Sequence, residues 1–323
     1  MTISGNILNS SGSAVTLSTS GNLTVASGAI VQGVNLNVDG TLNVTGTVRG
    51  NVTIDATAMT VSGSVHANGY GYSNDTGTGK GAIAANINNK GGGGGAHGGD
   101  GAVSSASDAG GTTTYGDIIE PESDGSGGGT SWYWCTATGG SGGGAIKITV
   151  DNTLTVTGTI SADGTVGGNC TQTYGQAGGG GAGGSVWIVA DSVAGTGTIR
   201  ANGGDGGVQG VYKAGGGSGG RIAIHYTTSL DSGVALHVFG GGGNTTYGGA
   251  GTILTKQGSN GPRIYIDNNS QAGAQTPMDL SSISPEAVIV TNKGHAYLTE
   301  STSLTYTENV TVSGTFEVAS GKT

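Results

Sequence analysis

Two sets of residues in this sequence are of types that do chemistry. The first is acidic. Asp117, Glu120, Glu122 and Asp124 crowd into GDIIEPESDG, and paired carboxylates either drive glycoside hydrolysis or hold a cation. Pro121 and the flanking glycines make this stretch an exposed loop. Trp132, Tyr133 and Trp134 follow closely in a chain with only 3 Trp. Exposed, such rings stack on sugars; buried, they pin a long loop onto the body beneath it. The second set recurs at matching points of four similar segments, SVHANG, TISADG, TIRANG and ALHVFG. Strand alternation turns Val65, Ile160, Ile199 and Leu236 inward and puts His66, Ser161, Arg200 and His237 in one outward column. Asn68, Asp163, Asn202 and Phe239 share that face. Serine, histidine and aspartate on one face invite a hydrolase reading. Repetition argues against it, because outward positions of any stacked strand collect polar residues. Gly139–Gly143 (GGSGG) matches GxSxG, but no helix follows to form a nucleophile elbow. Catalytic residues are therefore assigned to none, and Trp132, Tyr133, Trp134, His66, Arg200 and His237 are the candidate ligand contacts.

The elements that must position these groups repeat. Val52–Gly69, Ile146–Gly164, Val186–Gly203 and, more loosely, Ile222–Gly240 each read as a strand, a break, a glycine-flanked strand and a closing glycine. Glycine-rich insertions separate them and close with similar runs, GGSGGGAIKI, GGGGAGGSVWI and GGGSGGRIAI. A unit too small to bury its own apolar face must stack on its neighbours. Parallel connections of this kind are overwhelmingly right-handed. The expectation is an all-β, right-handed parallel β-helix (a β-solenoid) with glycine-rich insertions between rungs. Regular rungs span 1–69, rungs with long insertions 70–256 and further rungs 257–323, all one continuous body. The insertions shorten along the chain. A run such as GGGGAGG can pack backbone on backbone, because glycine permits close chain approach.

Composition narrows the function. The chain has 323 residues, 71 of them glycine, with 10% charged residues and a net charge of −9. Its 11 Lys plus Arg are scattered, so no basic stripe neutralises phosphates and nucleic acid is not an expected partner. No apolar run reaches membrane-spanning length. Both ends break into the strand pattern, which suggests a segment of a longer protein. Cys135 and Cys170 lie in successive insertions that stacking brings side by side, which predicts a disulfide and an oxidising, extracellular setting. Asp55, Asp151 and Asp191 align as a column, which leaves calcium open. That ion needs six to eight oxygen ligands, and no glycine- and aspartate-rich nonapeptide supplies them, so no cofactor is expected.

The string GGGGAGGSVWIVADSVAGTGTIRANGGDGG, followed by GGGSGGRIAIHY, resembles the glycine-rich repeats of very large secreted, adhesin-like or haemagglutinin-like surface proteins. The likeness covers Gly139–Lys256. It implies an extracellular or cell-surface structural and adhesive role, with surface glycans or other cell-surface molecules as partners, and it carries over no catalytic residues. The insertion Tyr70–Gly144 lies outside it. The other reading is a polysaccharide hydrolase or lyase, or a carbohydrate-binding module, on the same scaffold.

Overall fold

A computed structural model of the chain describes residues 1–9, 13–84, 91–104, 110–132, 135–172, 176–209, 212–243, 247–300 and 310–319. Among these residues every regular element is a strand, and no helix is long and apolar enough to cross a membrane. Each repeat contributes a long strand and a short one. The long strands Val34–Val44, Val52–Val61, Ala145–Val156, Ser185–Gly195 and Arg221–Leu230 stack in parallel within a twelve-stranded sheet. The short strands Ile30–Gln32, Thr47–Arg49, Ser64–His66, Thr159–Ser161, Thr198–Arg200 and Ala235–His237 stack in parallel within a seven-stranded sheet. Their inward aliphatic residues meet between the two sheets. Val31, Val48, Val65, Ile160 and Ile199 are all fully buried there, with Leu36, Ile54, Ile148, Ile188 and Ile224 opposite. The expected break inside each repeat is a register shift within one long strand, for example between Val150 and Thr153.

The expectation of one right-handed parallel β-helix from end to end is overturned. The larger sheet is mixed. Thr252–Gln257 pairs antiparallel with Arg263–Asp267 across a turn in which Gly258 takes a positive φ of 53°. After this reversal the buried face of the sheet changes. Ile253 still belongs to the core between the sheets. Leu254, Ile264, Ile266, Val288 and Val290 instead form a second core on the opposite face, with Met278, Leu280 and Ala296. A separate three-stranded sheet, Thr276–Met278, His295–Leu298 and Thr315–Val318, follows. The physical cause is local. Reversing direction at Gly258 lets Arg263–Asp267 satisfy the sheet edge, but its isoleucines then point to the outer side.

The glycine-rich runs of the insertions form a third layer that is neither α-helix nor β-sheet. Their hydrogen bonds repeat every three residues. Gly178, Gly181 and Gly184 donate to the carbonyls of Gly168, Thr165 and Ala162; Gly179 and Ala182 donate to Gly129 and Ser126; Gly180 and Gly183 donate to Gly215 and Ser218. Three directions visited in turn identify an extended helix of three residues per turn, which has no internal hydrogen bonds and spends every one on its neighbours. The segments beginning at Gly92 and Ala214 behave alike: Gly92 and Gly95 donate to Ala177 and Gly180, and Ala214, Gly217 and Gly220 donate to Gly207, Gly204 and Ala201. Glycine is required because the axes are so close. A Cβ on Gly180 would run into the backbone of Gly204 and Asp205. Small residues interrupt the packing at several points, and Ala96, Ala102, Ala182, Ala214 and Ser126 are wholly buried.

Candidate binding surfaces

The register of the short strands builds the outward column. Gln32, Arg49, His66, Ser161, Arg200 and His237 pair in succession, about 4.8 Å apart in a hydrogen-bonded stack. The structure therefore brings His66, Arg200 and His237 onto one face. Ser161 departs from the expectation. It shares the column but is only 1% exposed, so it offers no accessible hydroxyl. Arg49 Nε donates to Gln32 Oε1 at 2.8 Å, and Arg200 Nε meets Asp163 Oδ2 at 2.7 Å. The His237 ring stacks on Phe239 with centroids 4.7 Å apart, and His66 lies 6.4 Å from Tyr70. Burial, then the nearby Arg49 charge, lowers the His66 pKa against the pull of Asp163. Burial also lowers that of His237, opposed by Asp267. Both imidazoles are neutral near pH 7, so the positive charge of the column resides on Arg49 and Arg200.

The neighbouring Asn and Asp column does structural work. Asn68 Oδ1 accepts from Asp163 N at 2.7 Å, Asp163 Oδ1 from Asn202 N at 2.8 Å, and Asn202 Oδ1 from Phe239 N at 2.8 Å. Each side chain thus ties its layer to the next rather than bonding only within its own turn. The proposed Asp55, Asp151 and Asp191 column does not form. Asp55 pairs with Thr149, while Asp151 falls in the register shift. Asp191 instead accepts hydrogen bonds from the Thr227 and Thr228 hydroxyls. Among the described residues no group of His, Cys, Asp or Glu is placed to hold a metal ion.

The long insertion splits the acidic set. Asp117 Oδ1 accepts from the backbone of Ile119 and Glu120, closing a turn. Glu122 forms an ion pair with Lys147 at 2.8 Å. Asp124 accepts from Asn51 Nδ2 at 3.0 Å, and Tyr115 Oη donates to the Asp124 carbonyl at 2.6 Å. Burial raises the Asp124 pKa and the Asn51 bond offsets it in part. Glu122 and Asp124 line a cleft of about 650 Å³ with Asn35, Tyr72, Tyr115 and Lys147. The same segment covers the outer face of the large sheet. Trp187 points outward from its strand yet is only 8% exposed, in a cluster with Ile118 and Ile119, and Lys147 Nζ sits 3.7 Å from its ring centroid. No basic residue lies between Asp117 and Asp124 in the sequence. Lys147 supplies one from another repeat, which spacing along the chain does not reveal.

Trp132 is 56% exposed, so its ring is not buried as a pin. Tyr133 and Trp134 lie outside the described residues. Trp132 is held at the far end of the glycine layer, where its backbone N–H donates to Ala84. Cys135 and Cys170 form a disulfide beside it, with Cα atoms 6.2 Å apart. Ile83, Val103 and Val208 are also exposed, by 40% or more.

A buried polar group went unnoticed in the sequence. His97 is fully buried, its Nδ1 lies 2.8 Å from the Gly183 carbonyl, and its ring packs against Tyr115 at 4.8 Å. Burial and then the Arg221 charge push its pKa down to about 3. Arg221, itself buried, donates to the Tyr115 carbonyl and the Thr252 hydroxyl. Burial lifts Asp100 to about 7. Lone His and Arg residues among glycines carry no periodic signal, so only the fold shows that they lock the insertion to the sheet. Comparison with family models, curated proteins and solved structures finds no match.

Proposed function

We propose that this chain is an extracellular structural and adhesive segment of a large surface protein, binding surface glycans or other cell-surface molecules. The observation that carries the reading is the glycine layer. Its backbone hydrogen bonds in three directions leave little freedom to the segments that present Trp132 and the Cys135–Cys170 bridge at their far end. A rigid layer loses little entropy when a partner binds at its tips. The half-exposed Arg200 and the neutral His66 and His237 provide a second contact surface along the stack. The disulfide favours an oxidising compartment. A polysaccharide-processing enzyme is less well supported, because Glu122 is paired with Lys147 and Asp124 accepts a hydrogen bond from Asn51. The cleft beside them, with Tyr72 and Tyr115, suits a bound saccharide better than a cleaved one.

A glycan array with the whole chain, paired with a reducing-sugar release assay, tests the proposal. Binding that falls at least tenfold in Trp132→Ala, with no sugar released, supports it. Sugar release abolished by Glu122→Gln or Asp124→Asn would replace it with the enzymatic reading. Binding indifferent to Trp132→Ala and to Arg200→Ala would refute the assigned surfaces.

A further inference from the structure

The seven-stranded sheet ends on an open edge. Ala235–His237 is its last strand, and among the described residues no strand pairs with its outer side, because after the reversal at Gly258 the later short strands form the separate three-stranded sheet. Its backbone groups alternate in direction. Ala235 N donates back to Gly197 O, and His237 O accepts from Ala201 N. Alternation therefore aims the N–H and C=O of Leu236 away from the stack, toward a vacant position. The side chains repeat the message. The inward residues of the preceding strands, Val31 to Ile199, are fully buried, whereas Leu236 is only half-buried. Beside it opens a cleft of about 560 Å³ floored by Tyr226, Leu230, Leu236, Ile253 and Tyr265. Its rim carries Asp231, Asp267 and Glu286 against Arg263, which is paired with Glu286 at 3.3 Å.

We propose that this edge takes up an extended, cationic peptide strand, added in parallel to Ala235–His237. One aliphatic side chain of the peptide covers Leu236 and fills the cleft. Strand addition to an exposed edge draws affinity from main-chain hydrogen bonds and specificity from the pockets that alternate side chains enter. The ladder dictates both bonds. Leu236 N–H donates to the residue before the aliphatic one, and the residue after it donates its N–H to Leu236 C=O. That following residue stands above His237 and near Asp267, where the surplus of carboxylates favours Lys or Arg. The pattern is the one the sheet already uses, since Arg49 and Arg200 follow Val48 and Ile199.

The test uses the whole chain and a fluorescein-labelled nine-residue peptide, GTGTIRANG, copied from residues 195–203. Saturable binding by fluorescence anisotropy is expected. It should weaken at least tenfold when the peptide isoleucine becomes aspartate or when the arginine amide is N-methylated. It should weaken at least threefold, with less salt dependence, in the double variant Asp231→Asn, Asp267→Asn. Independently of any variant, the peptide should slow amide exchange at Leu236. Absence of saturable binding, or equal binding of the N-methylated peptide, overturns strand addition. Self-association of the chain in sedimentation that Leu236→Asp abolishes would show a second copy at the edge and overturn the assignment of a cationic peptide.

Discussion

Gly180→Ala is the sharpest probe of the glycine layer. The new methyl group meets the Gly204 carbonyl and lies 2.8 Å from the Asp205 oxygen, both of them backbone atoms that cannot rotate away. The segment must move from its neighbour, which is bonded to it by Gly204 N to Gly181 O at 2.8 Å and Gly207 N to Gly178 O at 2.9 Å. Overpacking costs about 1–3 kcal/mol, and each strained hydrogen bond about 0.5–1.5 kcal/mol. The sum is about 2–6 kcal/mol of destabilisation. Gly21→Ala is the matched control, since a Cβ there meets nothing within 4 Å and the change should be neutral or stabilise by up to about 1 kcal/mol. Urea denaturation followed by tryptophan fluorescence reads both, because Trp187 lies beneath the long insertion and reports its release. If the two variants unfold within about 0.5 kcal/mol of each other, the insertions are not close-packed and the three-direction hydrogen bonding does not hold them.

Replacing Cys135 and Cys170 by serine should lower stability by about 2–4 kcal/mol, the usual worth of a bridge closing a loop of this order, measured as the urea midpoint with and without reductant. Asp100 predicts a pH dependence. Its folded pKa, raised by burial to about 7, exceeds the unfolded value, so its contribution is fully present below about pH 4 and is lost as pH rises to about 7. Asp100→Asn should therefore exceed the parent in stability at pH 8 and converge with it below pH 4. Thermal unfolding across that range that shows a constant difference would contradict the assignment.

Much of the strand arrangement is written in period-two alternation. Val65, Ile160 and Ile199 turn inward, and His66, Arg200 and His237 share one column, because a residue's face follows from its parity and the repeat supplies the register. Parity fails where the strand shifts register, so Asp55 and Asp151 look aligned in sequence but part company in space. It also does not say which face is covered, and the two isoleucines of Arg263–Asp267 would fit either core. The reversal depends on Gly258, one glycine among 71, with nothing to distinguish it. Of the candidate site, the column was legible. The ion pair of Lys147 with Glu122 was not, since a loop without side-chain periodicity does not announce where it docks.

The glycine layer also governs how such a chain can change length. With three residues to a turn and three neighbours served in rotation, adding or deleting one glycine redirects every later hydrogen bond to the wrong partner. Three residues together restore the rotation and lengthen the run by about 9 Å. The runs can therefore grow or shrink only in triplets.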